Sequence, residues 1–322
     1  MPTLLITRPL PEPVVAAARA GFDVTLREDT RPLDALELRE ALLSFDAVLP
    51  TLGDLFSAEV FADVPRPRAR LLANFGVGYN HIDTAAAHAA GIMVSNTPGA
   101  VTDATADIAL MLILMTARRA GEGERLVRSG RWEGWHPTQM LGLHVSGKRI
   151  GIIGMGRIGQ AIARRAHFGF GMEVVFHNRS PLADPGLPAT QVTMAEAMAA
   201  DVVVVAVPGG PATRHLIDAE ALAHMRPHAI FVNIARGDVV DEAALVKALQ
   251  KGQIAGAGLD VYEFEPRVTP ALLHMENVTL LPHLGTAALE VRTAMGLMAV
   301  DNLTAWAAGR TPPNLVTPPP AG

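Results

Sequence analysis

The sequence predicts an α/β protein of two parallel-sheet domains, and three observations lead to that class. The chain has 322 residues, more than one ordinary hydrophobic core accommodates. Short β-like runs alternate with Ala-rich helical stretches almost from end to end, as in strands joined by helical crossovers. The later runs, from residue 149 on, are nearly unbroken Val, Ile and Leu, which suits strands covered by helices on both faces.

Two series of strands are expected. The first comprises LLIT at 4–7, DVTLR at 23–27, AVLP at 47–50, RLLANFG at 70–76 and IMVSN at 92–96. The second comprises RIGIIG at 149–154, MEVVFHN at 172–178, DVVVVAVP at 201–208, AIFVNIA at 229–235, GAGLDV at 256–261 and VTLLPH at 278–283. Between them, 97–119 reads as a long apolar helix with Thr and Asp candidates for its N-cap, a crossover from one domain to the other. After His283, 286–309 reads as a second long helix. If it packs back on the first series, the first domain is discontinuous, 1–99 plus 286–322, around a second domain of 100–285. The other reading leaves this helix with the second sheet. A cleft between two domains is expected, with hinges at the 99–104 and 283–286 crossings.

Composition narrows the partners. Hydrophobic residues make up 49% and charged residues 18%, a folded rather than disordered profile. A net charge of -5 gives no reason to expect nucleic acid or an anionic membrane surface as partner. No cysteine is present, which excludes disulfides, thiolate metal sites and a cysteine nucleophile and suits a reducing cytoplasm. The N-terminal MPTLLITRPLPEP lacks a basic n-region and reads as a strand, not a signal peptide. The longest apolar stretch, around 108–117, is about half of the roughly 20 residues a membrane span needs and reads as a buried helix. No metal site is expected.

The first chemical motif is GMGRIG, which follows the strand GIIG directly and opens a helical pattern. Strand, loop and helix in that order are the context of a dinucleotide-binding fingerprint. Gly154 permits the tight turn, Gly156 lets the backbone approach a pyrophosphate, and Gly159 lets helix and strand pack closely. The phosphates then rest on helix N-terminal amides. S-adenosylmethionine and a flavin dinucleotide remain alternative ligands of such a loop. The two sheets are accordingly expected to be Rossmann-like or flavodoxin-like.

The next strand bears on the cofactor. NAD-selective sites usually end it in an acid that bonds the ribose hydroxyls. Here it ends His177-Asn178-Arg179-Ser180, with Asn178 at the position of the acid. Arg179 and Ser180 offer a charged fork and a hydroxyl to a 2′-phosphate, so NADPH is expected, with NADH weaker. An ordinary solvent-facing arginine is the plainer alternative.

Ligands of open parallel sheets collect outside the carboxyl ends of the strands. Arg236 follows FVNIA, Glu265 follows LDVYEF, and His283 ends TLLP, so three chemically useful side chains meet on the rim that holds GMGRIG. Any one could be structural; their shared edge makes them candidates for catalysis.

These stretches resemble the D-isomer-specific 2-hydroxyacid dehydrogenase family, and within it the glyoxylate/hydroxypyruvate reductase and 2-ketogluconate reductase branch. The matching segments are NFGVGYNHID, NTPGAVTDATADIAL, GIIGMGRIGQAIARR, VNIARGDVVDEAAL, GAGLDVYEFEP and LLPHLGTAA, in family order over most of the chain. The resemblance implies that Arg236, Glu265 and His283 are catalytic. It also implies that Asp260 meets the nicotinamide carboxamide, that Thr105 lies near the cofactor, and that the amides of Val77 and Gly78 hold the substrate carboxylate. The chain departs from NAD-dependent relatives at Asn178. The full candidate cofactor set is Thr105, Gly154, Met155, Gly156, Arg157, Ile158, Gly159, Asn178, Arg179, Ser180, Val207, Pro208, Thr213, Ile234, Ala235, Asp260, His283 and Gly285. The candidate substrate set is Leu52, Gly53, Val77, Gly78, Arg236 and His283.

The expected chemistry is reduction of a small 2-keto acid such as glyoxylate, hydroxypyruvate or 2-ketogluconate. Arg236 would bridge the carboxylate and the ketone oxygen, on which negative charge grows. His283 would give that oxygen a proton, and Glu265 would hold the ring and favour the imidazolium. TLGD at 51–54 either lines the carboxylate side or is an ordinary turn, and Asn74, His81 and Asp54 either meet substrate hydroxyls or cap helices. GRWEGWHPTQMLG at 130–142 carries two tryptophans without helical period. Exposed, they would mark a homodimer contact, as the arm of relatives does; otherwise they pack into the local core. Two rival functions stand beside this one: a nicotinamide-sensing regulatory protein on the same fold, and a methyltransferase that would leave the trio unexplained.

Overall fold

The computed structural model describes residues 1–317; the last part of the expected first domain, 318–322, lies outside the described residues. The chain forms two compact units, one of Met1–Val101 with the segment from Ala287 onward, the other of Thr102–Thr286.

The first unit alternates β1 (Thr3–Ile6), α1 (Glu12–Gly21), β2 (Asp23–Leu26), α2 (Ala35–Ser44), β3 (Ala47–Leu49), α3 (Ala58–Ala62), β4 (Leu71–Ala73), α4 (Thr84–Ala89) and β5 (Met93–Ser95). Each expected run of the first series supplies one strand, trimmed at its ends. Prolines at its first turn start α1, and a capping box between Asp34 and Glu37 starts α2. The strands form a parallel sheet in the order β2-β1-β3-β4-β5. Period-two alternation sends Leu4, Ile6, Leu49 and Leu71 to one face and Leu5, Val48, Leu72 and Val94 to the other, each face building its own core. The order reverses between β1 and β3, so the loops after these two strands open side by side at a topological switch point. Thr51–Gly53 sits there.

The second unit begins with α5 (Thr102–Ala117) and α6 (Ala120–Arg128) and continues through β6 (Arg149–Ile153), α7 (Arg157–Arg164), β7 (Glu173–His177), β8 (Thr190–Gln191), α8 (Met194–Met198), β9 (Val202–Val205), α9 (Ala219–Ala223), β10 (Ile230–Asn233), α10 (Glu242–Gln250), β11 (Gly256–Leu259), α11 (Pro270–Leu273) and β12 (Val278–Leu280). Its seven parallel strands run β12-β11-β10-β9-β6-β7-β8, with the reversal between β6 and β9. The apolar helix around 108–117 is α5; it buries Ala106, Ala109, Leu112 and Ile113 in the core that includes Ile150, Val204 and Val232. Among the described residues no helix is long and apolar enough to cross a membrane. The α/β class with two parallel sheets is as the sequence predicts. One strand is additional: β8 is two exposed residues that pair Thr190 with Val175 and Gln191 with Phe176, and it carries no apolar run by which it could be recognised.

The chain then enters α12 (Leu289–Ala307), which belongs to the first unit. Its Ala299, Val300 and Leu303 share a core with Val14 of α1 and with Leu4 and Leu71. Asn302, fully buried, donates to Asn96 O and accepts from Asn314 N, fastening the helix and the following segment to the end of β5. In the second unit, 130–142 forms no helix or strand. Trp132 is 51% and Trp135 80% exposed, so the reading in which both rings fill a local core does not hold for the single chain.

Candidate active site

The glycine loop lies between β6 and α7, at the switch point of the seven-stranded sheet. Gly154 adopts φ +100°, which disfavours any side chain. A Cβ on Gly159 would lie 2.1 Å from Gly154 O, whereas one on Gly156 would meet nothing within 4 Å. Helix and strand are thus in direct contact while the middle glycine faces open space, and Gly156, the N-cap of α7, leaves the first amides of the helix without a side-chain cap. These features fit a dinucleotide whose pyrophosphate approaches the backbone at the helix N-terminus.

Asn178 follows β7, and its Oδ1 accepts from Met155 N at 2.7 Å, so the residue at the acid position ties the two loops together. Arg179 and Ser180 beside it are exposed. Along the same rim, the Thr213 hydroxyl donates to Pro208 O at 2.7 Å and closes the loop that contains Val207 and Pro208. The side chains of Ile234 and Ala235 are buried, and the Ala235 carbonyl accepts from Arg236 Nη1 at 2.7 Å. Thr105 of α5 donates to Gly285 O at 3.2 Å. Every candidate cofactor residue therefore belongs to the second unit.

The catalytic candidates are set by backbone clamps. Asn233, at the buried end of β10, donates to Arg236 O at 3.0 Å and accepts from Ala235 N at 3.0 Å, fixing the turn from which Arg236 projects. The next residue, Gly237, lies against the Tyr262–Glu263 peptide so closely that a Cβ would fall 1.8 Å from Tyr262 C. That approach brings the Arg236 turn onto the segment that holds Glu265. Glu265 Oε1 accepts from Tyr262 N at 3.0 Å, and Oε2 lies 3.0 Å from His283 Nδ1. With Nδ1 engaged, Nε2 is the ring nitrogen left for a reactant.

His283 has φ +55°, a left-handed conformation uncommon for residues other than glycine. Asp260, 1% exposed, holds it there. Its carbonyl accepts from His283 N at 2.9 Å, its Oδ1 from Leu284 N at 2.6 Å and its Oδ2 from Gly285 N at 2.8 Å. The resemblance assigned Asp260 to the nicotinamide carboxamide; in the structure both carboxylate oxygens are bound to the backbone behind the histidine. Tyr262 adds a further tie through its hydroxyl to Leu281 O at 2.8 Å.

Electrostatics follow from this packing. Burial pushes the Glu265 carboxyl up, but the His283 hydrogen bond and charge, the Tyr262 amide and the Arg236 guanidinium outweigh it, leaving Glu265 below the ordinary carboxylate value. Burial raises Asp260 despite the Leu284 and Gly285 amides. Burial lowers Arg236, opposed by Glu265 and Asp238. Among the described residues no group of three or more His, Asp or Glu side chains is placed to hold a metal ion.

The remaining candidates lie in the first unit, each on a braced loop. Asp54 is fully buried and accepts from the Thr7 hydroxyl at 2.6 Å, from Thr51 N at 2.9 Å and from Leu33 N at 3.0 Å, with Arg8 at 3.5 Å. With these partners it caps no helix and anchors the turn that carries Leu52 and Gly53. Arg8 supports the same turn from Nη1 to Leu52 O at 2.7 Å. Asn74 Nδ2 donates to Gly76 O and Gly78 O, each at 3.0 Å, and its Oδ1 accepts from His81 Nε2 at 3.0 Å. Asn96 Nδ2 holds Val77 O at 2.9 Å. Asn74 and His81 thus shape the Gly76–Gly78 turn and are not helix caps. Arg8, Asn96 and Asn233 were missed from sequence. For Asn233 a signal existed, a lone amide side chain ending an apolar strand.

Comparison with known proteins gives the family. Residues 110–285 match the family model of the D-isomer specific 2-hydroxyacid dehydrogenase, NAD binding domain. The chain is 44% identical to a glyoxylate reductase of Thermococcus onnurineus, over 98% of this chain and 96% of that one. It is also 44% identical to one of Pyrococcus furiosus, over 98% and 95%. The crystal structure of an NADPH-dependent glyoxylate/hydroxypyruvate reductase from Sinorhizobium meliloti, in complex with NADP and malonate, superposes with a TM-score of 0.87 at 37% identity, covering 98% of this chain and 97% of that one. A glyoxylate reductase from Paecilomyes thermophila gives 0.86 at 33% identity, over 98% and 99%. From the glycine loop, the clamped Arg, Glu and His and these matches together, the chain belongs to the D-isomer-specific 2-hydroxyacid dehydrogenase family and is an NAD(P)-dependent oxidoreductase.

Proposed function

We propose that this oxidoreductase reduces small 2-keto acids, glyoxylate and hydroxypyruvate foremost and 2-ketogluconate as a further substrate, to D-2-hydroxy acids with NADPH, using His283 as general acid. The observation that carries the reading is the pair of His283 Nδ1 and Glu265 Oε2 at 3.0 Å beside the clamped Arg236 turn. When bound, the nicotinamide supplies the hydride to the carbonyl carbon. Arg236 holds the carboxylate and the ketone oxygen with its planar fork and opposes the charge that develops on that oxygen. His283 releases the Nε2 proton to it, and Glu265 holds the ring by Nδ1 while balancing the imidazolium charge. In oxidation the same nitrogen takes the proton back. The substrate carboxylate is assigned to the amides of Val77 and Gly78, with Leu52 and Gly53 on the neighbouring loop of the first unit.

NADPH is favoured over NADH because Asn178 leaves the ribose end without a carboxylate, while Arg179 and Ser180 are exposed beside it. The NADP-bound Sinorhizobium relative supports this choice. A homodimer in a reducing cytoplasm completes the reading. Exposed Trp132 and Trp135 lie in the segment after α6, and a groove of about 960 Å³ runs beside α6 at the amino-terminal ends of β10 to β12, at the opposite sheet edge from the trio. A second copy of the chain is the proposed occupant, and a monomer by light scattering at micromolar concentration would remove that part.

The decisive experiment measures initial rates on a keto-acid panel with NADPH and NADH side by side. The expected result is turnover of glyoxylate and hydroxypyruvate with a higher kcat/KM for NADPH. No turnover of any keto acid would leave the regulatory reading in its place, and a higher kcat/KM with NADH would overturn the assignment of Asn178 to Ser180.

A further inference from the structure

The loop that presents Arg179 and Ser180 has no regular structure between β7 and β8, yet one side chain spans it. Gln191 lies opposite Phe176 in the register of β7 and β8, two residues before the loop begins, so its side chain reaches the loop from the sheet edge. Its Nε2 donates to Asn178 O at 3.3 Å and to Ser180 O at 3.2 Å, and its Oε1 accepts from Leu182 N at 2.9 Å. Both ends of one amide are thereby used on three main-chain groups within 178–182. The strand is pinned in turn: Val192 N donates to Phe176 O at 2.9 Å, and His177 Nδ1 lies 3.2 Å from Val192 O. At the near end of the loop, Asn178 is bound to Met155 of the glycine loop.

An exposed glutamine on a two-residue edge strand has little packing to contribute. What its geometry does is fix the curvature of the backbone on both sides of Arg179. A flexible loop must be ordered when it closes on an anion, and a loop already held in shape avoids that cost. We infer that Gln191 is a positioning residue for cofactor choice, acting through the main chain of 178–182 to present Arg179 and Ser180 to the 2′-phosphate. The inference rests on the NADPH reading above and adds a residue that does not itself touch the cofactor. Because NADH carries only a hydroxyl where NADPH has the 2′-phosphate, the brace affects the two cofactors unequally.

The test uses Gln191→Met, which keeps the length of the side chain and removes all three hydrogen bonds. Calorimetric titration with 2′,5′-ADP and with 5′-AMP isolates the 2′-phosphate from turnover. The wild-type protein is expected to bind 2′,5′-ADP more tightly than 5′-AMP. Q191M is expected to weaken 2′,5′-ADP by about fivefold, the scale of roughly one net hydrogen bond, and 5′-AMP by less than about twofold. In steady state the KM for NADPH should rise by a similar factor, with kcat and the NADH constants retained. Equal loss of both nucleotides, or loss of neither, in a protein whose wild type discriminates between them would overturn the role of Gln191 and leave the NADPH reading standing. A wild type that does not discriminate would remove the NADPH reading and this inference together.

Discussion

Replacing Glu265 with Gln isolates one charge at the centre of the site. The wild-type carboxylate makes two bonds, Oε1 from Tyr262 N at 3.0 Å and Oε2 with His283 Nδ1 at 3.0 Å. Glutamine retains an oxygen for Tyr262 N, so the local backbone keeps its tie. Toward His283 it turns an NH₂ group, which cannot accept the Nδ1 proton of an imidazolium. The lost interaction is a hydrogen bond to a charged group, worth about 1.5–3 kcal/mol. If it is felt fully by the protonated form that serves as acid, kcat for glyoxylate reduction falls by roughly ten- to a hundredfold. The pH dependence carries a second signature. Glu265 lies below the ordinary carboxylate value, so the pair stays intact as pH falls through the usual carboxylate range and is lost only when pH reaches the depressed value. An acid limb of activity should therefore lie below that range in the wild type and be absent in E265Q. The assay is the initial rate of nicotinamide absorbance loss across pH, with circular dichroism confirming the fold. An E265Q enzyme within twofold of wild type at every pH, with its acid limb in place, would refute the argument that Glu265 acts through His283.

Four other expectations follow from named contacts. His283→Ala should lose on the order of 10²-fold or more in kcat at neutral pH, and full turnover would show that His283 is not the acid. Asn178→Asp keeps an acceptor for Met155 N while setting a negative charge beside the 2′-phosphate position, so kcat/KM for NADPH should fall by about tenfold relative to NADH; an unchanged ratio would count against the loop assignment. Asp260→Asn can satisfy only one of the Leu284 and Gly285 amides, and releasing His283 from its left-handed conformation should lower kcat by about tenfold with the NADPH KM nearly constant; a selective KM effect would instead place Asp260 at the cofactor alone. Far from the site, the Arg68 fork and Thr3 lower Asp46 to about 2, so its contribution to stability is present above the ordinary 3.8 and is lost as pH falls through about 2. Because the pair is largely solvated, the wild type should exceed Asp46→Asn by only about 1 kcal/mol in urea unfolding at pH 6, with the gap narrowing toward pH 2; a pH-independent gap would contradict the linkage.

The parts of this protein that were legible in its sequence are those in which local chemistry repeats the tertiary demand. All eleven expected runs coincide with strands, most of them because a parallel strand buried on both faces must be apolar throughout; β2, an edge strand with exposed Asp23 and Thr25, is the exception. The glycine loop was readable because Gly154 answers a backbone requirement and Gly159 a space requirement that other residues do not meet, inside a strand-loop-helix pattern. β8 and Gln191 were not readable. Two exposed polar residues carry no period, and their pairing with β7 exists only once the sheet is assembled. Asp54, Asn74 and His81 were recognisable as polar groups in apolar surroundings. Whether they faced ligand or backbone depended on which loops the fold set beside them.

The sequence by itself determined the α/β class with two sheets, and it named the glycine loop and Arg236, Glu265 and His283 as candidates from their strand-end positions and the family resemblance. Only the tertiary structure decided how the three are held. Asn233, the Gly237 contact and the Asp260 clamp join segments separated by tens of residues, and no local pattern records which backbone amides a buried carboxylate will meet. Long-range hydrogen bonds of that kind are properties of the packed chain. They fix where the three candidate side chains stand.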